Sequence, residues 1–242
     1  MTWYLGRMCG FDLETTGVRL EDDRIVTSCV VHCGGKQPTQ SFNWMADPGI
    51  EIPEGAAKVH GITTEKARAE GRPAAEVVEQ VIAALAESVA EGLPVVAMNA
   101  SFDLTILDRE ARRHGVQPLT DIVGEGLRVI DPRVLDKQVD QRRKGQRTLA
   151  ALCQHYQVPL DGAHSADADA IAACRVAWRL GSVFPRLGEM SLDDLHQAQI
   201  KWAEAQGRSL AGYFRRTPGK EHFADGVRVE WPLVPAQPGG EA

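Results

Sequence analysis

A chain of 242 residues with 43% hydrophobic and 25% charged content has the composition of a soluble globular protein, long enough for one good-sized core with an appendage or for two small domains. No apolar run approaches the length of a membrane span, and residues 1–12 lack the basic start and apolar stretch of a signal peptide, so a cytoplasmic protein without membrane association is expected. The net charge of −6 argues against nucleic-acid binding by bulk attraction, and the odd, scattered set Cys9, Cys29, Cys33, Cys153 and Cys174 suits a reducing compartment.

The first predicted element is an apolar run over residues 8–13 that ends in the turn Thr15-Thr16-Gly17 and is interrupted by Asp12 and Glu14. In a strand, alternation puts these two carboxylates on one face, roughly 7 Å apart. As bare charges at the end of a buried strand they are costly, and a hard divalent cation between them removes that cost. A capping Asp12 with a solvated Glu14 is the competing reading of this pair taken alone. Residues 24–31 and 40–45 read as strands around Gly34-Gly35, completing an antiparallel meander. Cys29, His32 and Cys33 fall in that strand, where positions four apart lie about 13 Å from each other, so structural thiols are favoured over a zinc site. Residues 48–61 read as irregular and lead into Val59-His60-Gly61-Ile62-Thr63.

The 3.6-residue spacing of Val77, Val78, Val81, Ile82, Leu85 and Val89 predicts an amphipathic helix over 73–91, with Pro73 at its start and Gly92 just past its end. A short buried strand over 95–98 follows, then Asn99-Ala100-Ser101-Phe102-Asp103 and a helix over 102–114 closed by Gly115. Asp103 falls in the first turn, where the helix dipole favours its ionised form. Residues 127–131 read as the last core strand. Residues 137–147 carry Lys137, Arg142, Arg143, Lys144 and Arg147 against Asp140 alone, which fits a phosphate-contacting loop or a solvated one equally. Thr148 is the N-cap of a helix through Tyr156 that Pro159 stops. In His164-Ser165-Ala166-Asp167-Ala168-Asp169 the outer pair, on one helix, would sit about 140° apart in azimuth. The two converge only if His164 lies in the loop and Asp169 in the helix, with Asp167 then facing solvent.

Taken together, Phe11-Asp12-Leu13-Glu14-Thr15-Thr16-Gly17, Asn99 to Asp103 and His164 to Asp169 resemble, in order and spacing, the three motifs of the DEDDh 3′–5′ exonucleases, the family of the proofreading epsilon subunit of bacterial DNA polymerase III. The resemblance covers about residues 1–185. It implies an α/β, ribonuclease H-like fold: a mixed five-stranded sheet flanked by helices, here followed by a C-terminal helical extension. It implies removal of 5′-mononucleotides from a DNA 3′ end by two divalent cations, Mg²⁺ or Mn²⁺, held by Asp12, Glu14, Asp103 and Asp169, with Asp12 bridging and His164 as general base. It further implies that Thr15 contacts the terminal 3′-hydroxyl, that Val18 lies near the last base, and that His60, Asn99 and Phe102 contact substrate. For His60 a purely loop-holding role stays open. The implied partners are a single-stranded DNA 3′ end and a DNA polymerase or other replication or repair protein. An RNA-directed enzyme with the same residues remains an alternative, since sugar choice depends on fine contacts to the 2′-hydroxyl. An inactive binding module is disfavoured because all five motif positions are kept.

Beyond residue 185 the resemblance ends. Residues 186–242 are expected to form a helix over 191–205, opened by the cap Ser191-x-x-Asp194, and a Pro/Gly-rich tail. Its aromatic residues and Arg215, Arg216 and Lys220 suggest either docking on the exonuclease domain or contact with nucleic acid or a protein. The stripe Leu192, Leu195, Ala198 and Trp202 favours docking.

Overall fold

The computed structural model describes residues 2–160 and 165–236. In chain order it runs β1 (Arg7–Thr15), β2 (Ile25–Gly34), β3 (Gln40–Asp47), α1 (Glu54–His60), α2 (Thr64–Glu70), β4 (Arg72–Pro73), α3 (Ala74–Ala90), β5 (Val95–Val96), α4 (Ala100–Arg113), α5 (Leu119–Val123), β6 (Val129–Ile130), α6 (Pro132–Val139), α7 (Leu149–Tyr156), α8 (Ala166–Val183), α9 (Pro185–Gly188) and α10 (Leu192–Arg216). The sheet order is β4-β3-β2-β1-β5-β6. β1, β2 and β3 form the antiparallel meander, while β5 and β6 join β1 in parallel. The sheet has six strands, one more than expected. The addition is β4, two residues paired in parallel with β3, too short to leave any periodicity in the sequence.

Alternation along β1 divides the core. Cys9, Phe11 and Leu13 pack with the apolar stripe of α3 and with α4, whereas Met8 and the β2 residues Cys29, Val31 and Cys33 pack against α8. Gly10 is the contact point on that second face: a Cβ there would lie 2.8 Å from the Ala170 carbonyl oxygen and 2.9 Å from Cys174 Sγ. Only glycine lets the first turns of α8 lie directly on the strand, two residues before Asp12. His32 points the other way, its Nε2 2.7 Å from Ser88 Oγ on α3, so it does not converge with the cysteines.

Two boundaries differ from the sequence reading. Within 48–61, residues Glu54–His60 are helical. None of them is buried, so no apolar stripe announces the helix, which is marked only by Pro53 before it and the left-handed Gly61 after it. The C-terminal helix continues past Ala205 to Arg216, through Gly207 and Gly212. Gly207 does not stop the helix; it admits the returning chain, since a Cβ would lie 2.8 Å from the Arg228 carbonyl oxygen.

α10 closes the open edge of the sheet. β6 is an edge strand whose outward backbone groups have no neighbouring strand. Side chains of α10 satisfy them. Val129 N–H donates to His196 Nδ1 (3.1 Å), Asp131 N–H donates to Gln199 Oε1 (2.8 Å), and Gln199 Nε2 donates to the Val129 carbonyl (2.9 Å). The following chain is strapped to α4 by a ladder of polar residues four apart. Ser101 Oγ donates to the Glu230 carbonyl, Thr105 Oγ1 accepts from Val234 N–H, and buried Arg109 donates to the Val234 and Pro235 carbonyls.

Candidate active site

Three elements deliver carboxylates to one place. β1 carries Asp12 and Glu14 on the face that α8 crosses, and the close approach at Gly10 brings Asp169, in the first turn of α8, beside them. Oxygens of Asp12, Glu14 and Asp169 all lie within 4.8 Å of one another. Among the described residues this is the one group of three or more potential metal-ligating side chains so placed. Asp103, buried at the start of α4, is the fourth member. It reaches the cluster because β5, parallel to β1, leads through Asn99 directly into that helix. The site therefore sits at the carboxyl ends of parallel strands, the usual position in open α/β sheets.

Crowding carboxylates makes their charges interact. Burial holds Asp12 well above the ordinary carboxylate range, and the charges of Asp103, Asp169 and Glu14 push it further. Burial, then Asp169, raises Glu14 to about 7. Burial likewise raises Asp103, opposed by the backbone N–H groups of Asp103 itself and Leu13. A fold that collects four carboxylates in one place is set up for cations. The donors are hard carboxylate oxygens, which fit Mg²⁺ or Mn²⁺ rather than a thiophilic metal.

The expected substrate residues divide between two hollows. Glu14 and His60 share a cavity of about 330 Å³ with Asn43, Trp44 and Asp167. His60 Nδ1 accepts the Ile62 N–H at 3.2 Å, so the ring holds its loop while facing the cavity, and burial lowers its pKa. Val18, Asn99 and Phe102 instead line a larger cleft. Val18 is 83% exposed at the tip of the turn after β1. Asp23 fixes that turn, accepting from Thr16 Oγ1 (3.0 Å) and Arg19 N–H (2.7 Å), and Gly17 is required because a Cβ would lie 2.6 Å from the Asp23 carboxylate. Thr15 Oγ1 donates to the Gly17 carbonyl (2.6 Å) at the bulge that ends the β1–β2 pairing. His164 lies outside the described residues.

One site assignment changes. Asp167 is not solvent-facing: it is partly buried and lines the cavity with Glu14, because α8 lies so close to the sheet that its first turn has no free side there. Of the basic segment, for which a phosphate-contacting and a solvated loop are equally open in the sequence, two cations are committed within the fold. Arg143 and Arg147 both bind the buried carboxylate of Asp136, which also accepts from Tyr156 Oη (2.8 Å). Sequence reading missed Asp131. Its buried carboxylate accepts from Asn99 N–H (3.1 Å), Ala100 N–H (3.0 Å), Arg133 N–H (2.9 Å) and, at 3.4 Å, Trp231 Nε1. It thereby fixes Asn99 in its left-handed conformation (φ 66°) and sets the start of α4. The signal available was Asp immediately before Pro132, an N-cap followed by proline at the first helical position.

The profile of the exonuclease family matches residues 9–177, more than half of the chain. The chain belongs to that family. A PolC-type DNA polymerase III of Lacticaseibacillus paracasei is 30% identical over 162 residues, 67% of this exonuclease-family chain and 10% of the relative. That of Caldanaerobacter subterraneus subsp. tengcongensis is 25% identical over 196 residues, 81% of this chain and 13% of the relative. The chain thus spans about a tenth of the length of the curated relatives it matches. In fold it is similar to an exonuclease I, with a TM-score of 0.66 at 19% identity over 76% of this chain and 42% of that one. A structure of E. coli exonuclease I in complex with a dT13 oligonucleotide gives 0.64 at 19% identity over 76% and 43%. Among the described residues no helix is long and apolar enough to cross a membrane.

Proposed function

We propose that this exonuclease domain is a metal-dependent 3′–5′ exonuclease that releases 5′-mononucleotides from single-stranded DNA. The observation that carries this reading is the convergence of Asp12, Glu14 and Asp169 within 4.8 Å, with Asp103 charged against the same group. Asp12, Glu14, Asp103 and Asp169 are the residues that would hold two divalent cations. Such ions, when bound, offset the charge of the scissile phosphate and make a water nucleophilic near neutral pH.

The chain's own residues account for the rest. His164 accepts the proton of the attacking water, its reference pKa of about 6.5 suiting a base near neutrality. The water oxygen bonds to phosphorus, the bond from phosphorus to the 3′-oxygen of the penultimate nucleotide breaks, and that oxygen leaves to become the new 3′-hydroxyl. Thr15 reads the terminal 3′-hydroxyl, His60 borders the terminal nucleotide, and Val18, Asn99 and Phe102 contact its base and the one before it. The PolC-type relatives make a replicative polymerase the expected partner, in the cytoplasm.

The test is a matched pair of single-stranded DNA and RNA oligonucleotides, each with a free 3′-hydroxyl or a 3′-phosphate, digested with Mn²⁺ or Mg²⁺. Faster loss of the DNA and protection by the 3′-phosphate are expected. RNA turnover exceeding DNA turnover, or indifference to the 3′ block, would overturn the substrate or the polarity respectively.

A further inference from the structure

The cleft holding Val18, Asn99 and Phe102 does not end at the exonuclease motifs. Its volume is about 540 Å³, within the range of ~300–1,000 Å³ usual for ligand sites. Its far wall is the C-terminal extension, from Gln206 and Phe214 on α10 to Phe223, Arg228 and Trp231. Two features of this wall are unexplained by packing. Phe223 is 52% exposed, with the His222 ring 4.0 Å from it and the Phe214 ring 5.6 Å away, each tilted to it by 40–48°, so a cluster of aromatic rings with the Phe223 face stands open to solvent. Arg133, Lys137 and Arg228 line the same cleft, and among the described residues none of them forms an ion pair with a carboxylate. Most other arginines near the domain core do pair, Arg109, Arg112, Arg113, Arg143 and Arg147 among them.

Arg133 is partly engaged, donating to Asn99 Oδ1 (2.6 Å) and interacting with the Asp131 charge, whereas Lys137 and Arg228 have no carboxylate in an ion pair among the described residues. Asp131 is buried and occupied by backbone donors, and Glu230 is exposed and accepts Val229 N–H. Burial and the charges of Arg133 and Arg147 lower the pKa of Lys137, as expected of a cation facing other cations. In a chain of net charge −6, two cations outside any ion pair among the described residues and an exposed aromatic cluster on one cleft are not an average of the surface. Cations that track a backbone and aromatic faces that stack bases are the two elements of single-strand binding without sequence preference.

We propose that this cleft binds the single-stranded DNA upstream of the terminal nucleotides, its phosphates on Lys137 and Arg228 and a base on Phe223. The proposal rests on the exonuclease reading for the direction of the strand, because Val18 and Phe102 mark the 3′ end of the track.

The experiment compares fluorescence-labelled dT3 and dT12 by anisotropy, in EDTA, on the full chain and on Phe223→Ala and the double variant Lys137→Gln/Arg228→Gln. For Phe223→Ala, affinity for dT12 should fall about tenfold, in the range found for one stacked base, while dT3 affinity is unchanged. For the double variant, the slope of log Kobs against log salt on dT12 should become shallower by about 0.7 for each cation removed. Phe223 and Arg228 are exposed and Lys137 is half-buried, and unchanged thermal melting checks that the variants fold. Unchanged dT12 affinity and slope in both variants, or an equal loss on dT3 and dT12, would overturn the proposal. Turnover of dT3 with Mn²⁺ is measured alongside. Its absence in the unaltered protein counts against the exonuclease reading and leaves the binding comparison valid.

Discussion

Replacing Gln199 with leucine tests whether α10 is an integral cover for the sheet. The Gln199 side chain is fully buried and spends both of its polar atoms on β6, accepting from Asp131 N–H at 2.8 Å and donating to the Val129 carbonyl at 2.9 Å. Leucine has similar volume, so little cavity is created, but a donor and an acceptor on the edge strand lose their partners where water does not reach. Each such group costs about 1–3 kcal/mol, and the apolar leucine recovers part of that through its own burial. The net loss expected is about 3 kcal/mol. For a chain of this size that corresponds to a fall in Tm of ~6–12 °C. Urea unfolding followed by circular dichroism reads it as a lower midpoint at unchanged slope. A change below about 0.5 kcal/mol would refute the reasoning, because it would mean that β6 does not depend on α10 for its outer hydrogen bonds.

Three further outcomes are expected. Asp12→Ala should abolish nuclease activity and Mn²⁺-dependent thermal stabilisation together, while the metal-free fold becomes slightly more stable through relief of carboxylate repulsion; unchanged Mn²⁺ stoichiometry by calorimetry would contradict this. His164→Ala should lower turnover by ~10²–10⁴-fold yet keep metal and DNA binding, and an unaltered rate and pH profile would make His164 structural. In EDTA the Tm should rise as pH is lowered from 8 to about 6.5: Glu14 has its folded pKa raised to about 7, so its contribution to stability is full well below that value and lost as pH rises through it. Glu14→Gln should flatten that rise. His32, His60 and His196, lowered by burial, act in the opposite sense as pH falls towards their unfolded value of about 6.5, so the comparison with Glu14→Gln isolates the Glu14 contribution.

What the sequence disclosed and what it hid have the same physical origin. Asp12 and Glu14 are two residues apart on a strand, so the period of two states their shared face without further information. The stripe of α3 and the caps Thr148 and Ser191 are equally local, and the structure places them as read. α1 escaped because none of its residues is buried and so no stripe forms. The extent of α10 was hidden by Gly207, whose reason for being there is the chain returning some twenty residues later. The supports of the site were least legible of all. Asp131 holds Asn99 from 32 positions away, Gln199 holds Asp131 from 68, and Trp231 reaches Asp131 from 100. No local pattern announces such a partner. Asp131 shows its capping role in the sequence, whereas its role in shaping the second motif exists only in the fold.

The most direct test of the central claim is a time course on 5′-labelled single-stranded DNA with Mn²⁺, run beside the Asp12→Ala variant and a circular single strand of the same composition. A ladder shortening one nucleotide at a time from the 3′ end, 5′-mononucleotide as the product, an intact circle and no reaction by the variant are expected. Internal cleavage of the circle, or a ladder that persists when Asp12 is replaced, would contradict the assignment of this carboxylate cluster as a 3′–5′ exonuclease site.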